Sequence, residues 1–183
     1  MVNVDTLNKL VNSLIGDKYG LDITFSESNR NNIYDLGSYD ITVEYDIEKY
    51  NIAGNDYDPE YAETIWSLSD EIDSALGYLG RDDIFIDKIF YNPISTDLYD
   101  RVVKTLKDNL PEINHRINKE GKYDIKIKNI SIGFHDDFYD ATIIVTMETK
   151  NIPTYNVSDM EMKVWSIIGD YVDTDSFLHK IYK

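Results

Sequence analysis

The chain contains no cysteine, which excludes disulfides and thiolate chemistry and makes a reducing cytoplasm the expected setting. Cations are scarce: 18 Lys and Arg stand against 34 Asp and Glu, a formal net charge of -16. A surface that acidic repels nucleic acid and anionic membranes, and folding works against its self-repulsion. Direct contact with nucleic acid or a membrane is therefore not expected, and a partner selected by charge is basic. Long apolar runs are missing too, so no segment approaches bilayer length. The start, Met1-Val2-Asn3-Val4-Asp5, lacks the basic and apolar regions of a signal peptide.

Signatures of catalysis are equally thin. The three histidines, His115, His135 and His179, are far apart and no pair has zinc-ligand spacing. There is no phosphate-binding loop, no Gly-x-Gly-x-x-Gly and no nucleophile elbow. Asn55-Asp56-Tyr57-Asp58-Pro59-Glu60 lacks the glycine and bidentate Glu of a calcium loop, and Pro59 suits a helix start better. Glu148-Thr149-Lys150, with Asp136, Asp137 or Asp140 upstream, resembles the acidic-plus-Glu-x-Lys pattern of restriction-like nucleases, where carboxylates hold a divalent ion. Only Lys126 and Lys128 stand nearby to attract DNA. The expectation is no catalytic residue, no metal and no cofactor.

What is present is a repeat. Of 183 residues, 42% are hydrophobic, enough for a packed interior. Two Trp-Ser pairs, Trp66-Ser67 and Trp165-Ser166, each sit in a helical pattern: Tyr61, Ile65, Leu68 and Ile72 in one, Met160, Val164, Ile167 and Tyr171 in the other. Asp58 with Pro59 caps the first, and Ser158 with Glu161 is expected to form a capping box on the second. Upstream, Tyr39-Asp40-Ile41-Thr42-Val43 matches Tyr139-Asp140-Ala141-Thr142-Ile143, both alternating as half-buried strands do. Leu21 to Phe25 matches Tyr123 to Ile127. Two opening helices, expected to be capped by Asp5 and Asp97, precede them, and Phe85–Phe90 and Phe177–Tyr182 follow the second helices. The offset is 92 from Asp5 to Asp97, 100 from Tyr39 to Tyr139, and 92 again from Phe85 to Phe177.

The expected fold is therefore α+β: two tandem diverged α-β-β-α-β units, residues 1–92 and 93–183, related by a pseudo-twofold axis. Antiparallel strands with helices on one side would share one core. In the second unit the alternation slips near Asn129, which predicts a bulge.

The two copies differ most in charge. Residues 1–92 hold 19 acidic and 6 basic side chains, a net of -13, and residues 93–183 hold 15 and 12, a net of -3. Outward on the second strand, copy one has Asp40, Thr42, Glu44, Asp46 and Glu48; copy two has Asp140, Thr142, Ile144, Thr146 and Glu148. Same-face strand residues repeat every roughly 6.6 Å. With Asp56, Asp58, Glu60, Glu63, Asp70, Glu71 and Asp73 as a second row, the spacing approximates a phosphate track at about 3.4 Å per charge. Tyr34, Tyr39, Tyr45, Tyr50, Tyr57 and Tyr61 lie in the same stretch, and exposed members would suit an Arg-rich partner. Trp66 and Trp165, at equivalent positions, are expected to be structural.

In size, acidity and lack of cysteine the chain resembles proteins that imitate DNA. That resemblance implies an inhibitor occupying the basic groove of a nucleic-acid-binding protein, such as a nuclease or CRISPR or restriction effector. The setting would be a phage or mobile-element anti-CRISPR or antirestriction factor in the host cytoplasm. A structural or assembly protein of a virion or cellular complex, and an immunity protein for a basic toxin, are the alternatives. Monomer and homodimer both fit, with Ile144 as the candidate self-association surface.

Overall fold

The computed structural model describes residues 3–28, 37–119, 121–122, 124–135, 138–150 and 156–183, with 135 and 138 described in backbone alone. Tyr34, Tyr123, Asp136, Asp137 and the side chain of His135, named above, lie outside the described residues. The chain is α+β with two three-stranded sheets, and it divides into two units. One comprises Met1–Thr96 with His135–Tyr139; the other comprises Asp97–Phe134 with Asp140–Lys183.

The first unit opens with α1 (Val4–Val11), which buries Leu7 and Val11. Its cap is Asn3, whose side chain accepts from the Thr6 amide, so Asp5 lies inside the first turn instead of capping it. A carboxylate there still opposes the positive end of the helix dipole. A π turn (Asn12–Gly16) leads into α2 (Asp17–Tyr19), which stops at Gly20 with φ 68°, a left-handed cap that favours glycine. β1 (Asp22–Glu27) then pairs antiparallel with β2 (Gly37–Tyr45). After α3 (Ile47–Tyr50), α4 (Pro59–Trp66) and α5 (Leu68–Tyr78), β3 (Ile84–Pro93) returns parallel to β2. Along β2, Tyr39, Ile41, Val43 and Tyr45 are buried while Asp40, Thr42 and Glu44 stay half-open. Ile41 and Val43 join Ile23, Ile65, Leu68 and Ile72 in a core with no exposed surface. Each such side chain contributes about 1.5–3 kcal/mol.

The single helix expected across Trp66 is broken. Ser67 sits at φ -96°, ψ 8°, and its hydroxyl donates to the Glu63 carbonyl at 3.0 Å, competing with the helical ladder. The buried stripe survives, because Tyr61, Ile65, Leu68 and Ile72 are all buried.

The second unit runs α6 (Asp97–Asp108), α7 (Leu110–Asn118), β4 (Asp124–His135), β5 (Phe138–Lys150), α8 (Val157–Ile168), β6 (Leu178–Tyr182). Its sheet order is β4-β5-β6, with β5 parallel to β6. The expectation of antiparallel strands holds for β1 with β2 and is corrected for the third strand of each sheet, which is reached through a helical crossover and runs parallel to the strand it left. In β4 the burial phase slips where Lys128 and Asn129 are both exposed between buried Ile127 and Ile130. α8 begins at Val157 with Asn156 as its cap, so Ser158 and Glu161 do not form the expected box.

Each sheet has one edge sealed by the same device. Asn8 and Asn12, one turn apart on the opening helix, face the backbone of β1. The Ile23 amide donates to Asn12 Oδ1 (2.8 Å), Asn12 Nδ2 donates to the Ile23 carbonyl (2.6 Å), and the Phe25 amide donates to Asn8 Oδ1 (2.8 Å). On α7, Asn118 and Asn114 do the same to β4. The Ile125 amide donates to Asn118 Oδ1 (3.0 Å), Asn118 Nδ2 to the Ile125 carbonyl (2.7 Å), and the Ile127 amide to Asn114 Oδ1 (2.7 Å). A side-chain amide offers both donor and acceptor, so it satisfies an edge residue as a neighbouring strand would.

Candidate interaction surface

The open face of the first sheet follows from its register. Ser26, Asp40 and Lys88 form one cross-strand row; Thr24, Thr42 and Phe90 the next; Asp22, Glu44 and Asn92 the third. Asn92 donates to Glu44 at 3.3 Å, and the Lys88 ammonium lies 5.8 Å from the Phe90 ring centre. Asp40 Oδ1 is buried and accepts no hydrogen bond among the described residues. This face is mixed polar, with its carboxylates interrupted by Thr42 and flanked by Lys88.

Several predicted carboxylates hold the backbone. Asp46 caps α3, accepting from the Glu48 amide at 3.0 Å, while its own N–H donates to the buried Tyr61 hydroxyl at 2.7 Å. Burial pushes the Tyr61 phenol up to about 12. Glu48 accepts from the Asn55 amide at 3.2 Å, closing the turn that carries exposed Asp56. Asp58 caps α4, accepting from the Glu60 and Tyr61 amides at 3.0 and 3.2 Å.

The remaining carboxylates ride on the helices. Glu60, Glu63, Asp70 and Asp73 are exposed and Glu71 is half-exposed. They lie on the solvent side of α4 and α5, opposite the buried stripe of Tyr61, Ile65, Leu68 and Ile72. Among the described residues no cation lies within ion-pairing distance of Glu60, Glu63, Asp70 or Asp73. The tryptophan between them is also open: Trp66 is 59% exposed, and its indole N–H donates to the Tyr50 hydroxyl at 3.1 Å. Trp165 is half-buried and stacks on His179, ring centres 4.4 Å apart. Sequence periodicity could not separate the two, because both follow a buried stripe by one residue.

Drawn along the structural units, the charge contrast sharpens. The first unit carries 21 acidic and 6 basic side chains, a net of -15, and the second 13 and 12, a net of -1. In the second unit several charges are spent on each other. Lys104 pairs with Asp108 (2.6 Å), Lys128 with Glu148 (2.9 Å), Lys183 with Glu161 (3.2 Å) and Lys150 with Asp124 (3.8 Å), and Arg116 pairs with Asp170. Both ends of the nuclease-like Glu148-Thr149-Lys150 are thus engaged in ion pairs. Ile144 does not stand free: its Cδ1 lies 2.7 Å from where a Cβ on Gly133 would be, so the absent side chain lets it fold across β4. Leu178 and Tyr182, opposite Thr142 and Thr146 on β6, are 44% and 46% exposed.

No family model, no curated protein and no solved structure matches the chain.

Proposed function

We propose that this chain is an acidic inhibitor whose first unit occupies the basic groove of a nucleic-acid-binding protein, in the manner of a DNA mimic. The observation that carries the reading is the set of helical carboxylates Glu60, Glu63, Asp70 and Asp73, none in an ion pair among the described residues, on a unit of net charge -15 against -1 for the other. Glu60 and Asp70 also oppose the positive ends of α4 and α5 from their first turns, and exposed carboxylates raise the association rate with a basic partner. The host cytoplasm and a phage or mobile-element anti-defence role follow as the setting.

We further infer that the two units are diverged copies of one α-β-β-α-β ancestor. The paired asparagines support this, as does the shared strand order with a parallel third strand. On that basis α7, not α6, takes the place of α1. The third strands have diverged in register: Asp40 lies opposite Lys88, whereas Lys180 lies opposite Ile144, four residues beyond Asp140.

The assembly-subunit reading is favoured by exposed Leu178 and Tyr182 on the edge strand β6. Binding to immobilised Cas effectors and restriction enzymes, at low and high salt and with competing DNA, separates the two. The inhibitor reading expects binding that salt and DNA both abolish. Concentration-dependent self-association in sedimentation, with no binding to any basic enzyme, would overturn it.

A further inference from the structure

At the junction of α4 and α5 an aromatic side chain stands open among exposed carboxylates. Trp66 is a large apolar side chain, 59% exposed at the junction of the two helices. Its indole is also held in place. The N–H is committed to the Tyr50 hydroxyl, and Tyr50 is itself buried, edge-on to Tyr45 (5.7 Å) and Tyr139 (5.6 Å) within the same unit. An indole tethered at its nitrogen and bare over its rings loses little freedom when something settles on it. Exposed Glu63 precedes it by one turn of α4, and exposed Asp70 lies four residues on, in the first turn of α5 beyond the break at Ser67; neither is in an ion pair among the described residues.

We propose that Trp66 is the anchor of the interaction surface and that its occupant is an arginine side chain of the basic partner. A guanidinium is planar, stacks on an indole face and donates sideways to carboxylates, whereas an ammonium is a compact, strongly hydrated point charge. The pairing of a flat aromatic with flanking acids therefore selects arginine over lysine, which carboxylates alone would not. Interfaces concentrate their energy in a few such Trp and Arg residues. The inference rests on the proposed binding of a basic partner, and it moves the centre of that surface from the strand face to the helices.

The test uses labelled hexa-arginine and hexa-lysine, with fluorescence anisotropy read for the full chain and for Trp66→Ala and Trp66→Phe. Circular dichroism melts check that the variants fold, and Trp66→Phe, which keeps a ring, stands in if Trp66→Ala does not. Hexa-arginine is expected to bind tighter than hexa-lysine, and Trp66→Ala to weaken hexa-arginine by about three- to fivefold while leaving hexa-lysine nearly unchanged. Trp66→Phe should fall between. Equal, salt-sensitive binding of both peptides that ignores Trp66 would overturn the anchor and leave the acidic-inhibitor reading standing. Binding of neither peptide would contradict both.

Discussion

A buried phenol and a helix cap are joined at Tyr61 and Asp46, and their bond makes a residue-scale prediction. The Tyr61 oxygen is what the Asp46 N–H has for a partner, at 2.7 Å. Tyr61→Phe leaves that amide unsatisfied at the entrance to α3, which is expected to cost roughly 1–3 kcal/mol in urea unfolding at pH 7. The same group adds an alkaline dependence. Its folded pKa is about 12, raised from 10.0 by burial, so the folded state keeps the proton where the unfolded chain releases it. The stability it contributes is complete below pH 10 and is lost as pH rises toward 12. The half-buried Tyr91 phenol is shifted up as well, by desolvation, and acts with the same sign, so Tyr61→Phe still loses some stability at high pH. The expected result is a decline above pH 10 that is shallower in Tyr61→Phe than in the wild type. Equal slopes would contradict the burial of that hydroxyl.

At the scale of elements, the asparagine clamps make the strongest claim. Asn12→Ala removes both bonds to Ile23, and Asn118→Ala both bonds to Ile125. Each is expected to destabilise by about 1–3 kcal/mol and by similar amounts. Asn8→Ala, which loses the single bond from the Phe25 amide, should cost less. Chemical denaturation of the three variants checks the order. Strand and helix positions were legible in the sequence because burial imposes periods of two and of three to four on apolar residues, and β2 and α8 follow those periods. Of the caps, Asp58 was legible because Pro59 marks the start of α4, but Asn3 and Asn156 were not: they lie within two residues of Asp5 and Ser158, and several polar side chains compete for one short stretch of free amides. Strand direction was not legible either, since nothing local in Ile84–Pro93 records that it runs with β2. The clamps left a signal that went unread, pairs of Asn four apart on helices that precede a strand. Of the candidate surface, the acidic residues could be read from the sequence, but not which of them the backbone uses. Asp46 and Asp58 stand at cap positions, whereas Glu63 lies within α4 and Asp70 in the first turn of α5.

Across the whole molecule, a net of -15 on one unit is a repulsion that salt relieves. Raising ionic strength from about 10 mM to about 0.1 M shortens the screening length from about 30 Å to about 10 Å. The melting temperature is therefore expected to rise by about 2–4 °C for each kcal/mol of repulsion removed. Glu60→Gln, Glu63→Gln, Asp70→Asn and Asp73→Asn combined should flatten that rise. Neutralising Asp46, Glu48 or Asp58 is a poor substitute, because those side chains hold backbone amides and would report on stability. The measurement that bears most directly on the central claim compares that fourfold variant with a control of equal charge. The control is neutralised at exposed Asp100, Glu112, Asp159 and Asp175 of the second unit. Both are scored for blocking DNA binding by a basic effector that the wild type inhibits. The account predicts that the first-unit variant loses inhibition while the control keeps it. Equal loss in both would mean that total charge alone acts, and equal retention that the unpaired carboxylates of α4 and α5 are only a solvated face.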